Sequence, residues 1–117
     1  MTTFRRGQVV VVEVPFSNHS GLKLRPALVV SATAFHRDLA DIIVCPISSQ
    51  PRYYQRPGQG DVPLLDWRAV GLRHPSTARI AKLLSVDKAV VRRPLGMLSR
   101  RDLAGVEDRL RRALVLP

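Results

Sequence analysis

The chain has 117 residues, with 19 Lys and Arg against 9 Asp and Glu, a formal net charge of +10. That length suits a single domain, expected over residues 1–117, and 45% hydrophobic content excludes a disordered polyelectrolyte. No apolar run nears the ~20 residues that span a bilayer, and a lone cysteine, Cys45, excludes intramolecular disulfides and a paired-cysteine zinc site.

The basic pair Arg5-Arg6 is followed by only a short apolar run, broken at Glu13, with no small-residue cleavage site. A signal peptide is therefore not expected, and the reducing cytoplasm is the simplest compartment. Residues 8–14, Gln-Val-Val-Val-Val-Glu-Val, are rich in β-branched side chains and predict a strand that Pro15 ends. Residues 17–23 form a polar loop, and residues 26–31 a second strand with Arg25-Pro26 at its start. Residues 41–49 read as a third strand interrupted by Pro46. Residues 50–60 hold Pro51, Pro57, Gly58 and Gly60 and read as a long surface loop. A short strand follows at 61–64, then a turn at 71–76 leading into an alternating strand over 77–83. Residues 86–91 are another short strand or a turn. Short strands without βαβ alternation predict a small β-barrel or sandwich.

The end of the chain differs. Ser99 is an N-cap candidate with Asp102 three residues on. Leu103, Val106, Leu110 and Ala113 or Leu114 recur at helical spacing. An amphipathic helix is expected, one stripe on the barrel and Arg100, Arg101, Arg109, Arg111 and Arg112 on its solvated side.

Sixteen of the 19 basic residues are Arg. Arginine makes bidentate contacts with phosphate and carboxylate, so the charge suits nucleic acid and acidic protein alike. No zinc-binding His pair, phosphate-cradling Gly loop or nucleophile elbow is present, and His19, His36 and His74 are scattered. RNA cleavage needs less equipment, because the 2′-hydroxyl is a built-in nucleophile. The protein must orient it, stabilise the charged phosphorane and manage two protons. An Arg fork and a Ser hydroxyl on neighbouring strand ends would serve, and Arg25 and Ser48 are such a pair.

Four segments in order carry a resemblance. They are residues 6–10 with Pro15-Phe16, residues 24–31 (Leu-Arg-Pro-Ala-Leu-Val-Val-Ser), residues 45–50 (Cys-Pro-Ile-Ser-Ser-Gln), and residues 71–76 before a strand ending Lys82-Leu83. With residues 95–103 before the last helix, they resemble the MazF/PemK family, toxins of type II toxin–antitoxin modules, over nearly the whole chain. The resemblance implies a mainly β fold with helices, an SH3-like β-barrel shared with the CcdB toxins, closed by a C-terminal amphipathic helix. It implies a homodimer that cuts single-stranded RNA without metal or cofactor, leaving 2′,3′-cyclic phosphate and 5′-hydroxyl ends. A cognate antitoxin, acidic where it meets the toxin, would neutralise it, and operator DNA would be bound only through that complex.

The family's catalytic Arg falls on Arg25, as phosphate stabiliser, and its Thr or Ser on Ser48. Ser49 is the adjacent alternative, since strand alternation sends the two to opposite faces. RNA contacts are expected from Ser17, His19, Lys23, Ser49, Gln50, Arg52, Tyr53, Tyr54 and Arg56, with the tyrosines interleaved among arginines to stack on unpaired bases. Many members carry an acid in the first loop. Here Asn18-His19-Ser20-Gly21-Leu22-Lys23 replaces it, which removes a candidate base. Arginine is a poor general base. Trp67 reads as core or dimer packing. Two rival readings are a protein-binding toxin of the gyrase-poisoning kind and an inactive barrel kept as a nucleic-acid-binding module. The first lacks the Trp-containing C-terminal motif, because the only Trp is at 67.

Overall fold

The computed structural model describes residues 3–15 and 22–117. Seven strands, β1 (Gln8–Pro15), β2 (Leu22–Val29), β3 (Asp41–Ser48), β4 (Asp61–Pro63), β5 (Thr77–Arg79), β6 (Leu84–Asp87) and β7 (Val91–Met97), form an antiparallel sheet. The order is β4-β5-β3-β2-β1-β7, with β6 also on β3. Three helices accompany them: α1 (Thr33–Asp38), α2 (Pro51–Gln55) and α3 (Arg100–Leu114).

The valine run of β1 is explained by burial on both faces. Val9 joins Leu28, Cys45, Ile47, Leu64, Val70 and Val106 in the larger core. Val10 and Val12 join Phe4, Ala27, Val29, Ile42 and Val44 in a second core on the other face. A strand covered on both sides has no polar alternation to show. Cys45 is a free thiol fully inside the larger core, and that burial pushes its pKa up to about 12. It is a packing residue without thiolate chemistry.

Several expected boundaries move. β2 begins at Leu22, because its hairpin with β1 runs from Val9↔Leu28 to Pro15↔Leu22. Arg25 therefore sits mid-strand opposite Val12, and Lys23 lies in the strand opposite Val14. β3 runs through Pro46 without interruption. Pro46 falls between the stretch that pairs with β6 (41–44) and the stretch that pairs with β5 (47–48), so on that edge its missing N–H costs no ladder bond. The expected loop over 50–60 contains α2, which starts on Pro51, a residue pre-shaped for a first helical turn. The strand expected over 77–83 stops at Arg79, where a 3₁₀ turn (Ile80–Lys82) intervenes before β6. β7 and α1 have no counterpart among the elements the sequence pattern predicts. β7 carries Pro94 and Gly96 and pairs with β1 through two register irregularities, as an edge strand tolerates.

α3 is capped as expected: the Ser99 Oγ accepts a hydrogen bond from Asp102 N at 3.3 Å. Its apolar stripe is shorter than the spacing suggested. Leu103, Val106 and Leu110 pack on the larger core, while Ala113 and Leu114 are exposed. Asp102 is buried and accepts from Leu65 N and Asp66 N, each at 2.8 Å, tying the helix to the segment after β4. Among the described residues no helix is long and apolar enough to cross a membrane.

Candidate active site

The register of β2 on β3 points the end of β3 toward Arg25. Ala27 faces Pro46 and Leu28 faces Cys45. Carried two positions further, the same register sets Arg25 against Ser48. The pairing itself ends at Ala27, while the last residues of β3 pair on the opposite edge with β5 through Ile47↔Ala78 and Ser48↔Thr77. Beyond the last β2–β3 pair lies a cleft.

The cleft has a volume of about 390 Å³. Leu24, Arg25 and Pro26 of β2 line one side, and Ile47 and Ser49 line another. The turn after Gly71 supplies Arg73, His74 and Ser76, and β7 supplies Arg93 and Leu95. Ser49, the alternative to Ser48, thus lines the cleft beside Arg25. Ser48 is half-buried next to it, where its Oγ accepts from Gln50 N at 3.2 Å. A hydroxyl has one donor hydrogen besides its lone pairs, so this bond leaves Ser48 able to donate.

The turn that carries Arg73 and His74 is held rigidly. Gly71 has φ +97°, a left-handed conformation that strains any residue with a Cβ. Leu72 is buried, and its N–H donates to Trp67 O at 3.1 Å. The Ser76 hydroxyl donates to His74 O at 2.7 Å, and Leu64 N donates to Ser76 O at 2.9 Å. Trp67 itself packs half-buried against the larger core, with Arg68 4.9 Å from its ring centroid. In the sequence, residues 71–76 stand out as a turn and as one segment of the family resemblance, with no role for the two basic side chains at the tip. Arg73-His74 between Gly71-Leu72 and Pro75-Ser76 was the available signal. Arg93 had no signal, because β7 was not expected.

Charge pairing separates the arginines. Arg6, Arg79, Arg92, Arg101 and Arg112 form ion pairs with Glu107, Asp61, Glu13, Asp66 and Asp108. Among the described residues Arg25, Arg73 and Arg93 have no ion-pair partner, and no carboxylate lines their cleft. Three guanidiniums in one concavity make a site for an anion with several phosphates.

The other expected RNA contacts divide. Ser17 and His19 lie outside the described residues. Gln50, Arg52 and Arg56 are exposed on and beside α2. Tyr53 already has a stacking partner: the Arg79 guanidinium lies 3.6 Å from its ring centroid, and Arg52 donates to its Oη at 2.8 Å. That hydrogen bond from Arg52, with Arg79 behind it, holds the phenol below its ordinary pKa. Tyr54 turns inward and donates its hydroxyl to Leu64 O at 3.2 Å, which anchors α2 to the barrel. Among the described residues no group of three His, Cys, Asp or Glu side chains is placed to hold a metal.

The family model for PemK-like, MazF-like toxins of type II toxin–antitoxin systems matches residues 5–114. The chain belongs to this family. Solved structures agree on the fold. A MazE–MazF complex from Deinococcus radiodurans is 21% identical, covers 100% of each chain and superposes with a TM-score of 0.78. An endoribonuclease in complex with its cognate antitoxin from a mycobacterial species is 20% identical, over 100% of this chain and 98% of that one, at a TM-score of 0.77. The Mycobacterium tuberculosis toxin MazF-mt6 is 20% identical, over 92% and 98%, at 0.69. No curated protein sequence matches the chain. The mainly β, barrel-like fold with a C-terminal helix is therefore the MazF-type fold.

Proposed function

We propose that this toxin is an endoribonuclease that cuts single-stranded RNA in the cleft between β2, the end of β3, the 71–76 turn and β7. The observation that carries this reading is that Arg25, Arg73, Arg93 and Ser49 line one cleft with no acid among its described lining residues. A scissile phosphate seated there would have its non-bridging oxygens on the Arg25 fork, preorganised where charge builds up in the phosphorane. Ser48 and Ser49 would add hydroxyl donors, Ser48 from beside the β2–β3 gap and Ser49 from within the cleft. Arg73 and Arg93 would hold flanking phosphates. Because the 2′-hydroxyl attacks its own phosphodiester, the products are a 2′,3′-cyclic phosphate and a 5′-hydroxyl, and the reaction needs no metal ion.

The working assembly would be a cytoplasmic homodimer. A cognate antitoxin with acidic side chains would neutralise it by covering the same cleft, so RNA and antitoxin would compete. Operator DNA would be reached only through that complex. Single-stranded RNA incubated with the pure protein in EDTA tests the chemistry. Cyclic-phosphate ends are expected. Arg25→Ala should slow cleavage by about 10²–10³-fold, the usual loss on removing one oxyanion donor. Ser48→Ala and Ser49→Ala assign the hydroxyl to whichever variant lowers kcat. Wild-type cleavage by Arg25→Ala, or linear 3′-phosphate ends formed only with added metal, would overturn the reading.

A further inference from the structure

We infer that His74 is the general base of the cleavage reaction. This rests on the endoribonuclease reading above and supplies the proton acceptor that reading lacks. The polar lining of the cleft is Arg25, Arg73, Arg93, Ser49, Ser76 and His74. A guanidinium accepts no proton in a protein, and a serine hydroxyl is no base near neutrality. The Ser76 hydroxyl is moreover engaged with His74 O. Among the described lining residues, that leaves the imidazole as the one side chain with a nitrogen that can accept a proton.

Its setting suits the task. The backbone of His74 is gripped on both sides, by buried Leu72 before it and by buried Ser76 after it, while the residue itself is exposed at the cleft. A fixed main chain with an open side chain is what a positioned base requires. The other described histidine makes the contrast. His36 is buried, with one ring nitrogen on the Ser31 Oγ and the other 3.0 Å from Phe4 O, so both are spent on structure. The charged groups facing the His74 side of the cleft are Arg25 from β2, Arg93 from β7 and its neighbour Arg73. They hold phosphate, and the proton chemistry falls to the imidazole.

In the step itself neutral His74 takes the proton of the 2′-hydroxyl as the 2′-oxygen bonds to phosphorus. The bond from phosphorus to the 5′-oxygen breaks, and water protonates the departing oxygen. The imidazolium then returns its proton to the hydroxide so formed. Atoms balance without any other reactant.

Single-turnover cleavage of a short single-stranded RNA between pH 5 and 9 tests this assignment. The wild-type rate should rise with pH on the acid side and then level off, as a reaction needing an unprotonated base does. His74→Ala should be slower by at least about 10²-fold, the usual worth of a general base, and should lose that acid limb. Added imidazole should restore part of the rate, whereas His74→Arg, which keeps a cation, should not. Affinity for the matching 2′-deoxy oligonucleotide, which lacks the nucleophile, should stay within a few fold of wild type. An acid limb that survives in His74→Ala, or a loss confined to oligonucleotide affinity, would remove His74 from the chemistry. Wild-type protein that leaves the RNA whole would instead fail the endoribonuclease reading, and the base with it.

Discussion

Three arginines of α3 and the three of the cleft are the same residue type with opposite fates. On α3, Arg101 is bidentate on Asp66, at 2.8 Å from Nε and 2.7 Å from Nη2. Arg109 donates to the carbonyls of Gly58, Gln59 and Asp61, and Arg112 pairs with Asp108 one turn back. In the cleft, Arg25, Arg73 and Arg93 have no acid to meet among the described residues. The first set closes loops onto the barrel. The second keeps its charge available. Net charge alone therefore says little, and the location of carboxylates decides which arginines can serve a ligand.

This contrast can be broken from either side. The largest effect after Arg25→Ala should come from Asp102→Ala. It strands the part-buried N–H groups of Leu65 and Asp66 and removes an acid from the first turn of α3. A buried donor left unsatisfied costs about 1–3 kcal/mol, and part-buried ones less, so urea unfolding should show a loss of about 2 kcal/mol, with kcat on RNA unchanged in the folded fraction. Next come Arg73→Ala and Arg93→Ala. Each should weaken RNA binding at low salt and lower the slope of log K against log salt by about 0.7, one single-strand phosphate contact, with no loss of thermal stability. Reversal of these two patterns would mean that the cleft arginines are structural and α3 is functional.

The smallest effect belongs to the surface pair. The Arg101 hydrogen bond, then that from Ser99, holds the Asp66 carboxyl well below the usual carboxylate range. A depressed folded pKa contributes stability that is present above the unfolded value of about 3.9. It is lost as pH falls below that value toward the folded one. Asp66→Asn should therefore be less stable than wild type at pH 7, and the gap should close below about pH 4. Because the pair is solvated, the difference will be small and salt-sensitive. Thermal melts at pH 7 and pH 3 check it.

Much of this was legible in the chain. β1 and the capped start of α3 follow from local rules, since β-branched crowding and an N-cap hydroxyl act within a few residues. Arg25 and Ser48 stood out through their motifs, but it is Ser49 that lines the cleft with Arg25, because the β2–β3 pairing ends at Ala27. Tyr53 and Tyr54 show the limit. Both sit between arginines in sequence, but Tyr53 stacks under Arg79, 26 positions away, and Tyr54 anchors to Leu64. β7 was hidden because an edge strand tolerates the proline and glycine that argue against a strand.

The sequence by itself determined the family, the charge and the residue types from which a site could be built. Only the tertiary structure decided which of the described arginines remain without an acid, and that His36 is buried while His74 is exposed. Charge pairing and burial depend on distances between segments far apart along the chain. Arg25, Arg73, His74 and Arg93 share a cleft only because the fold sets β2, β7 and the 71–76 turn side by side.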